Sequence, residues 1–356
     1  MSQPDRIAVF LPNWIGDAVM ATPALRALRR KFEGAKISFV GKDACMEVLA
    51  GGNLADDFLP DVSKRRPRLI HFFRMRRRLR AGRYDLAVLL PNSFRTAALA
   101  YSAGIDRIAG YARDGRGWML SDKLSPARDE AGKFIPAPMI DYYLNLMRLL
   151  GAEADSRRMK LAVTPAEDAE AARFFDEADI DPARPLVMLN PGASFGPSKL
   201  WPPERYAAVA DALIDRRGAQ IIINASPSDR PVATRVAAAM RRSPSVNFAD
   251  RDNTLGLLKA LLRRSSLLIT NDTGARHIAA AFGVAVVTLF GSTDPRWSEI
   301  GCESERIVCT NVSCSPCQKK RCPLPAGPMH HRCMTAITVE MVLAAAKELL
   351  DASGHD

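Results

Sequence analysis

No apolar stretch in these 356 residues approaches the ~20 residues that cross a bilayer, so a membrane-spanning chain is not expected. Asp5 and Arg6 stand where a secretory leader would be apolar, which leads to the expectation of a cytosolic protein. No GxGxxG occurs, and a dinucleotide fold of the dehydrogenase type loses support. Cysteine is almost absent outside one stretch: six of the seven fall between Cys302 and Cys333, with Cys45 alone elsewhere. That excludes a disulfide framework spread through a small secreted domain and points to a local metal or redox feature. Acidic residues are missing from Lys64 to Arg80, a segment holding nine basic ones. Internal repeats and low-complexity tracts are missing too.

What is present reads as two α/β lobes. The chain is 47% hydrophobic and long for one core, which rarely grows beyond roughly 250 to 300 residues. Apolar runs at Ile7–Leu11, Lys36–Val40 and Leu86–Leu90 alternate with helical patterns, one after Asp17 and one at Thr96–Ala103. The pattern restarts with runs at Leu186–Asn190, Ala219–Asn224, Leu267–Thr270 and Val284–Phe290, separated by helical segments. Such alternation predicts doubly wound parallel sheets. Thr164-Pro165 is suited to cap a connecting helix, which Asp181-Pro182 would end. The expected domains are residues 1–165, 166–337 with the cysteine-rich loop, and a terminal helix within 338–356.

The charge is lopsided. Residues 1–165 carry 28 Lys and Arg against 17 Asp and Glu, whereas residues 166–356 carry 22 of each. The first lobe therefore suits an anionic partner, whether phosphorylated glycolipid, membrane surface or nucleic acid. In Lys64–Arg80, Arg65, Arg66 and Arg68 among them, like charges without acid favour anion binding over a merely solvated helix face.

Ligands of open α/β sheets bind beyond the carboxyl ends of the strands, so the loops there hold the candidate residues. The loop Pro191–Pro202 offers two glycines, Ser194, Ser198 and Lys199, a set suited to phosphate or to an ordinary loop anchored by Trp201. At Asn271-Asp272-Thr273-Gly274 a helix begins, and its amides and the Thr273 hydroxyl suit a diphosphate. Asp272 there either accepts sugar hydroxyls or caps the helix, and His277 is either a ligand contact or a buried, satisfied side chain. Ser226 and Asp229 follow another strand and suit a ribose or a helix cap. In the first lobe Asn13, Trp14 and Gly16 lead to Asp17, which is either a general base or the cap of a helix over residues 18–31. Cys314, Cys317, Cys322 and Cys333, with His330 and His331 nearby, suit a structural zinc ion, unligated thiols or a labile disulfide.

Taken together, Leu11-Pro-Asn-Trp-Ile-Gly-Asp17, Pro91-Asn-Ser-Phe94, Pro191-Gly-Ala-Ser194, Lys199-Leu-Trp-Pro202 and Thr270-Asn-Asp-Thr-Gly274 with His277 resemble the ADP-heptose:lipopolysaccharide heptosyltransferases of glycosyltransferase family 9, closest to their heptosyltransferase II branch. The resemblance runs in order along nearly the whole chain. It implies a GT-B fold, two Rossmann-like doubly wound domains facing across a cleft, with donor on the C-terminal lobe and acceptor on the N-terminal one. It implies inverting transfer from ADP-L-glycero-β-D-manno-heptose to a heptose of the Kdo-lipid A inner core, without a catalytic metal or other cofactor. Asp17 matches the family's base; Ser194 and Lys199 match its diphosphate contacts, and Asp272, Thr273 and Gly274 its sugar and phosphate contacts. Expected donor contacts are completed by Ser226, Asp229, Asn271 and His277. Acceptor contacts are expected at Asn13, Trp14, Arg65, Arg66, Arg68, Asn92, Ser93, Arg95 and Arg113. A cytoplasmic enzyme peripheral to the inner membrane face follows, with no nucleic acid as partner. Related transferases using another nucleotide-sugar remain an alternative. A basic nucleic-acid-binding protein with a zinc module would leave Asp17, Lys199 and Asp272 without a purpose. Phe195 departs from members with a second hydroxyl there, and the cysteine cluster is absent from many members.

Overall fold

The structure, a computed structural model, describes residues 3–63 and 66–352. Its contacts divide into two compact units, Met1–Ala162 with Arg296–Ile300, and Val163–Pro295 with Gly301–Asp356.

In the first unit β1 (Arg6–Phe10), β2 (Lys36–Gly41), β3 (Asp57–Pro60), β4 (Leu86–Leu89), β5 (Arg107–Tyr111) and β6 (Asp122–Leu124) form one parallel sheet in the order β3-β2-β1-β4-β5-β6. Val9 of β1 lies beside Phe39 and Val88. The strand is apolar without alternation because helices cover both sheet faces, and Ile7, Ala8 and Val9 are wholly buried.

The second unit repeats the plan. Here β7 (Leu186–Asn190), β8 (Gln220–Ile223), β9 (Val246–Asn247), β10 (Leu267–Asn271), β11 (Ala285–Phe290) and β12 (Glu305–Cys309) run in parallel, in the order β12-β11-β10-β7-β8-β9. Numbered from its own first strand, each sheet has the order 3-2-1-4-5-6. That order reverses direction between β1 and β4, and again between β7 and β10. Strand connections leave to opposite sides at such a point and open a crevice above the carboxyl ends.

One local expectation is corrected. Helix begins at Ile15, not after Asp17, and breaks at Ala21 into Ile15–Met20 and Thr22–Lys31. Pro23 has no amide for the carbonyl of Val19, and the Thr22 hydroxyl takes that carbonyl instead at 2.7 Å. Two other signals hold. Thr164 and Glu167 form a reciprocal capping box on the helix Pro165–Glu177. The helix Val339–Ala352 buries Val342, Ala346, Leu349 and Leu350 within the second unit. Trp201, fully buried, donates its indole N–H to the carbonyl of Ile337 just before that helix.

Candidate active site

β7 and β10 end in asparagine and Asn224 directly follows β8, and these side chains tie the loops together. Asn190 Nδ2 donates to the hydroxyls of Thr270 and Thr273 at 3.0 and 3.1 Å, and its Oδ1 accepts from Asn224 at 2.7 Å. Asn253 continues the chain into Asn224 Oδ1 at 2.7 Å. Asn271 donates to the carbonyls of Pro191 and Gly192 at 2.8 and 3.2 Å and accepts from the Tyr206 hydroxyl. Buried polar groups require such partners. The network therefore holds the loop at 191–192 rigidly against the start of the helix Gly274–Phe282.

That helix start has an unusual property. Its cap residue, Thr273, has extended backbone but makes no side-chain bond to the helix amides, because its hydroxyl is engaged by Asn190 and Thr270. The first amides of the helix are left without the side-chain cap that normally satisfies one of them. They suit an anion.

Asp272 does not cap either. Its carboxylate meets Lys199 Nζ at 2.5 Å, the Thr293 hydroxyl at 3.1 Å and Arg276 Nη1 at 3.5 Å. Lys199 also donates to the Asp272 carbonyl at 2.8 Å, with its ammonium 5.0 Å from the Phe195 ring centre. Phe195 is thus a cation–π neighbour of the lysine in place of a hydroxyl. Burial by itself would raise the Asp272 carboxyl, but the charges of Lys199 and Arg276 outweigh it and hold it below its ordinary range. Arg276, wholly buried, is clamped by both oxygens of Glu305. His277 lies beside this cluster. Burial and the Arg276 charge push its imidazole down to about 3, so the ring is neutral at pH 7, and its Nδ1 finds no hydrogen-bond partner among the described residues.

Asp229 likewise leaves its helix uncapped. Its carboxylate accepts from the Ser226 hydroxyl and crosses above Gly192, where a Cβ would stand only 2.2 Å from the Asp229 carboxyl carbon. A larger residue at 192 would require the Asp229 carboxylate to shift. Ser194 is exposed on the same loop.

In the first unit the chemistry-bearing side chains sit at the other switch point. Asp17 is the third residue of the helix Ile15–Met20, behind Trp14 as cap residue, and is half-buried. It is therefore not the cap. A carboxylate in a first helical turn is stabilised by the helix dipole. Tyr143 is buried nearby; burial first and the Asp17 charge second keep its phenol well above the ordinary range and protonated. Trp14 is exposed, with Lys42 Nζ 5.8 Å from its ring centre and bonded to the Asn13 carbonyl at 3.0 Å.

The loop after β4 is fixed by a residue that the sequence did not single out. Arg116 is fully buried and donates to the carbonyls of Tyr111, Pro91 and Ser93 and to Asn92 Oδ1. Asn92 Oδ1 accepts from Tyr142 as well. Arg95 reaches the Ser63 hydroxyl at 2.8 Å, and Arg113 stacks on Phe134 at 3.9 Å. Arg66 and Arg68 are exposed, whereas Arg65 lies outside the described residues.

Each unit thus gathers its own candidates. Asn13, Trp14, Asp17, Asn92 and Ser93 follow β1 and β4; Ser194, Lys199, Asp272, Thr273, Gly274 and His277 follow β7 and β10; Ser226 and Asp229 follow β8. Asn190, Asn224, Asn253, Thr293 and Arg276 went unrecognised in the sequence, although asparagine at three strand ends was a readable signal. A cavity of about 470 Å³ lined by Arg263, Phe282 and Glu303 lies at the opposite, amino-terminal edge of the second sheet. Open α/β sheets do not bind ligands there.

The chain is similar to known proteins over nearly its whole length. A model of glycosyltransferase family 9 (heptosyltransferase) matches residues 72–326. Lipooligosaccharide heptosyltransferase 2 of Haemophilus influenzae is 28% identical, over 97% of this chain and 99% of that protein. Among solved structures, ADP-heptose lps heptosyltransferase II of E. coli is 26% identical with a TM-score of 0.78, covering 98% of this chain and 99% of its own. A glycosyl transferase family 9 structure from Veillonella parvula has a TM-score of 0.82 at 24% identity, covering 98% of this chain and 97% of its own.

Proposed function

Since the chain belongs to glycosyltransferase family 9 and is a heptosyl-type glycosyltransferase of lipopolysaccharide synthesis, we propose that it transfers heptose from ADP-L-glycero-β-D-manno-heptose to a heptose of the Kdo-lipid A inner core, with inversion. The observation that carries the donor assignment is the uncapped helix start at Gly274 beside Lys199. A diphosphate supplies the negative charge that those amides and that ammonium lack once Asp272 turns to the sugar. Asp229 and Ser226, across Gly192, suit the ribose hydroxyls of the same nucleotide.

The reaction needs one proton removed and one leaving group stabilised. The acceptor hydroxyl oxygen forms its bond to the anomeric carbon as the bond to the ADP oxygen breaks, and Asp17 takes the hydroxyl proton. The developing charge on ADP falls to Lys199 and the helix amides. Asn13, Trp14, Asn92, Ser93, Arg95 and Arg113 hold the acceptor on the first unit. Among the described residues no helix is long and apolar enough to cross a membrane. The helix Arg68–Gly82 supplies peripheral contact with an anionic membrane face, through Arg68, Arg74 and Arg77 and the exposed Leu69, Ile70 and Phe73.

Asp17→Asn tests the base. Turnover is expected to fall by about 10²- to 10⁴-fold, while ADP affinity by calorimetry stays within twofold of wild type. Near-normal turnover in that variant would refute the assignment.

A further inference from the structure

In the second unit Cys314, Cys317, Cys322 and Cys333 line one cavity of about 20 Å³. A space of that size takes one water molecule or one ion. The hydroxyl donors on its wall are already engaged. The two hydroxyls on its wall, Ser198 and Ser292, bond each other at 3.0 Å, and Ser198 donates onward to the Lys319 carbonyl at 2.6 Å. His331 Nε2 is taken by the Ser198 carbonyl at 2.9 Å. Sulfur remains, and four thiolates around one point are the ligand set of a tetrahedral zinc or iron(II) ion.

As placed, no three His, Cys, Asp or Glu side chains among the described residues stand at ion-holding distances. Binding therefore has to draw the sulfurs in to ~2.3 Å from the metal. Cys314, Cys317 and Cys322 are partly exposed on a loop without regular structure, while Cys333 is buried on the short helix Arg332–Thr335.

The same loop grips the donor-side residues. Gly196 passes so close that a Cβ would stand 2.4 Å from the Lys320 carbonyl oxygen. Ser198 N–H donates to that oxygen at 3.2 Å, and Lys199 is the next residue. On the other side Gln318 N–H donates to the Ser292 carbonyl at 2.7 Å, and Ser315 Oγ to Gly291 at 2.6 Å. Thr293, which follows, donates to Asp272. Both flanks of the Lys199–Asp272 pair thus hang on residues 315–320, between the cysteines.

We propose that Cys314, Cys317, Cys322 and Cys333 bind one soft divalent cation, zinc or iron(II), and that the loaded loop sets the position of Lys199 for the donor diphosphate. Four sulfur–metal bonds form as four thiol protons pass to solvent. The second half of the proposal rests on the donor reading given above; the first does not.

The test uses the full chain purified under reducing conditions without a polyhistidine tag. Elemental analysis for zinc and for iron is expected to find about one ion per chain and to tell the two apart. A protein that carries neither ion and takes up neither added Zn²⁺ nor added Fe²⁺ overturns the site. Cys314→Ser with Cys317→Ser should abolish metal and raise the Kd for ADP by about tenfold, with unchanged far-ultraviolet circular dichroism. Should that variant fail to fold, wild type stripped with a chelator should show the same loss, reversed on adding the ion back. Unchanged ADP affinity after stripping overturns the coupling. Loaded protein that binds no ADP at all overturns the donor reading instead and leaves the metal site standing.

Discussion

Replacing Lys199 by methionine keeps the length of the side chain and removes its charge. In the wild type the ammonium and the Asp272 carboxylate are 2.5 Å apart, with side chains only 10% and 11% exposed. Removing one partner of a buried pair usually costs about 3–5 kcal/mol, because the survivor is left uncompensated. Asp272 is not so stranded, since Arg276 and the Thr293 hydroxyl remain within 3.5 Å. Lys199→Met should therefore cost only about 1.5–3 kcal/mol, the range for one hydrogen bond to a charged group. Asp272→Asn should cost more, because it leaves Lys199 without a carboxylate while Arg276 keeps Glu305. The double variant should be less destabilised than the two losses added together. Urea denaturation at neutral pH measures all three, and calorimetry should show ADP binding weakened about 10- to 100-fold in Lys199→Met, about 1.4–2.7 kcal/mol. The Asp272 carboxyl titrates lower folded than unfolded, so its contribution is complete above about pH 4 and is lost only as the pH falls through the folded value. The effect of Lys199→Met should accordingly be flat from pH 6 to 8. Additivity within about 0.5 kcal/mol, or an unchanged ADP affinity, would refute the pairing and its role.

His277 gives a pH signature of opposite range. Its folded value of about 3 lies below the unfolded one near 6.5, so its contribution is whole above about pH 6.5 and drains away as the pH falls toward 3. His277→Gln should flatten the stability–pH curve between pH 6.5 and 4.5 by up to about 1.4 kcal/mol per pH unit; parallel curves for the two proteins would contradict it. Thr164→Ala removes the capping box on Pro165–Glu177 and should lower unfolding stability by about 1 kcal/mol, with no change in ADP affinity; a loss of affinity would show that this helix does more than connect. Replacing Leu69, Ile70 and Phe73 together by aspartate should abolish co-sedimentation with vesicles containing phosphatidylglycerol, while turnover on a water-soluble acceptor persists. Equal binding by wild type and variant would remove that helix from the membrane.

The central strands were legible because parallel sheets buried on both faces are written as unbroken apolar runs, as in Leu186–Asn190 and Leu267–Asn271. The outer strands were not. Asp57–Pro60, Asp122–Leu124 and Val246–Asn247 are short and partly polar, with no periodicity to detect. At the site, spacing placed the right loops at the switch points but not the pairings within them, since Lys199 and Asp272 are 73 residues apart. That pairing ties together the lysine proposed for phosphate and the aspartate proposed for sugar, so a bound donor has to part them. Arg116 was hidden for a related reason: Ala-Arg-Asp-Gly-Arg-Gly reads as an exposed turn, and only the fold supplies the carbonyls that enclose its guanidinium.

The same enclosure refines the charge argument. Several cations in the first 165 residues are engaged inside the first unit, although each ion pair also consumes an acid and leaves the net balance unchanged. Arg107 pairs with Asp122, Arg29 with Asp56 and Arg157 with Asp141, and Arg116 lies among carbonyls. Of these four, only Arg116 is a surplus cation withdrawn from the surface. A dense group of unpaired charge lies on Arg68–Gly82, where among the described residues Arg68, Arg74, Arg77 and Arg80 are exposed without ion pairs. Leu69, Ile70 and Phe73 stand out from the same helix, with 57% or more of each exposed. A soluble phosphate would need only the arginines. Apolar side chains interleaved with them suit a surface that is anionic at its headgroups and oily just beneath, which is the ground on which peripheral membrane contact is proposed for this helix.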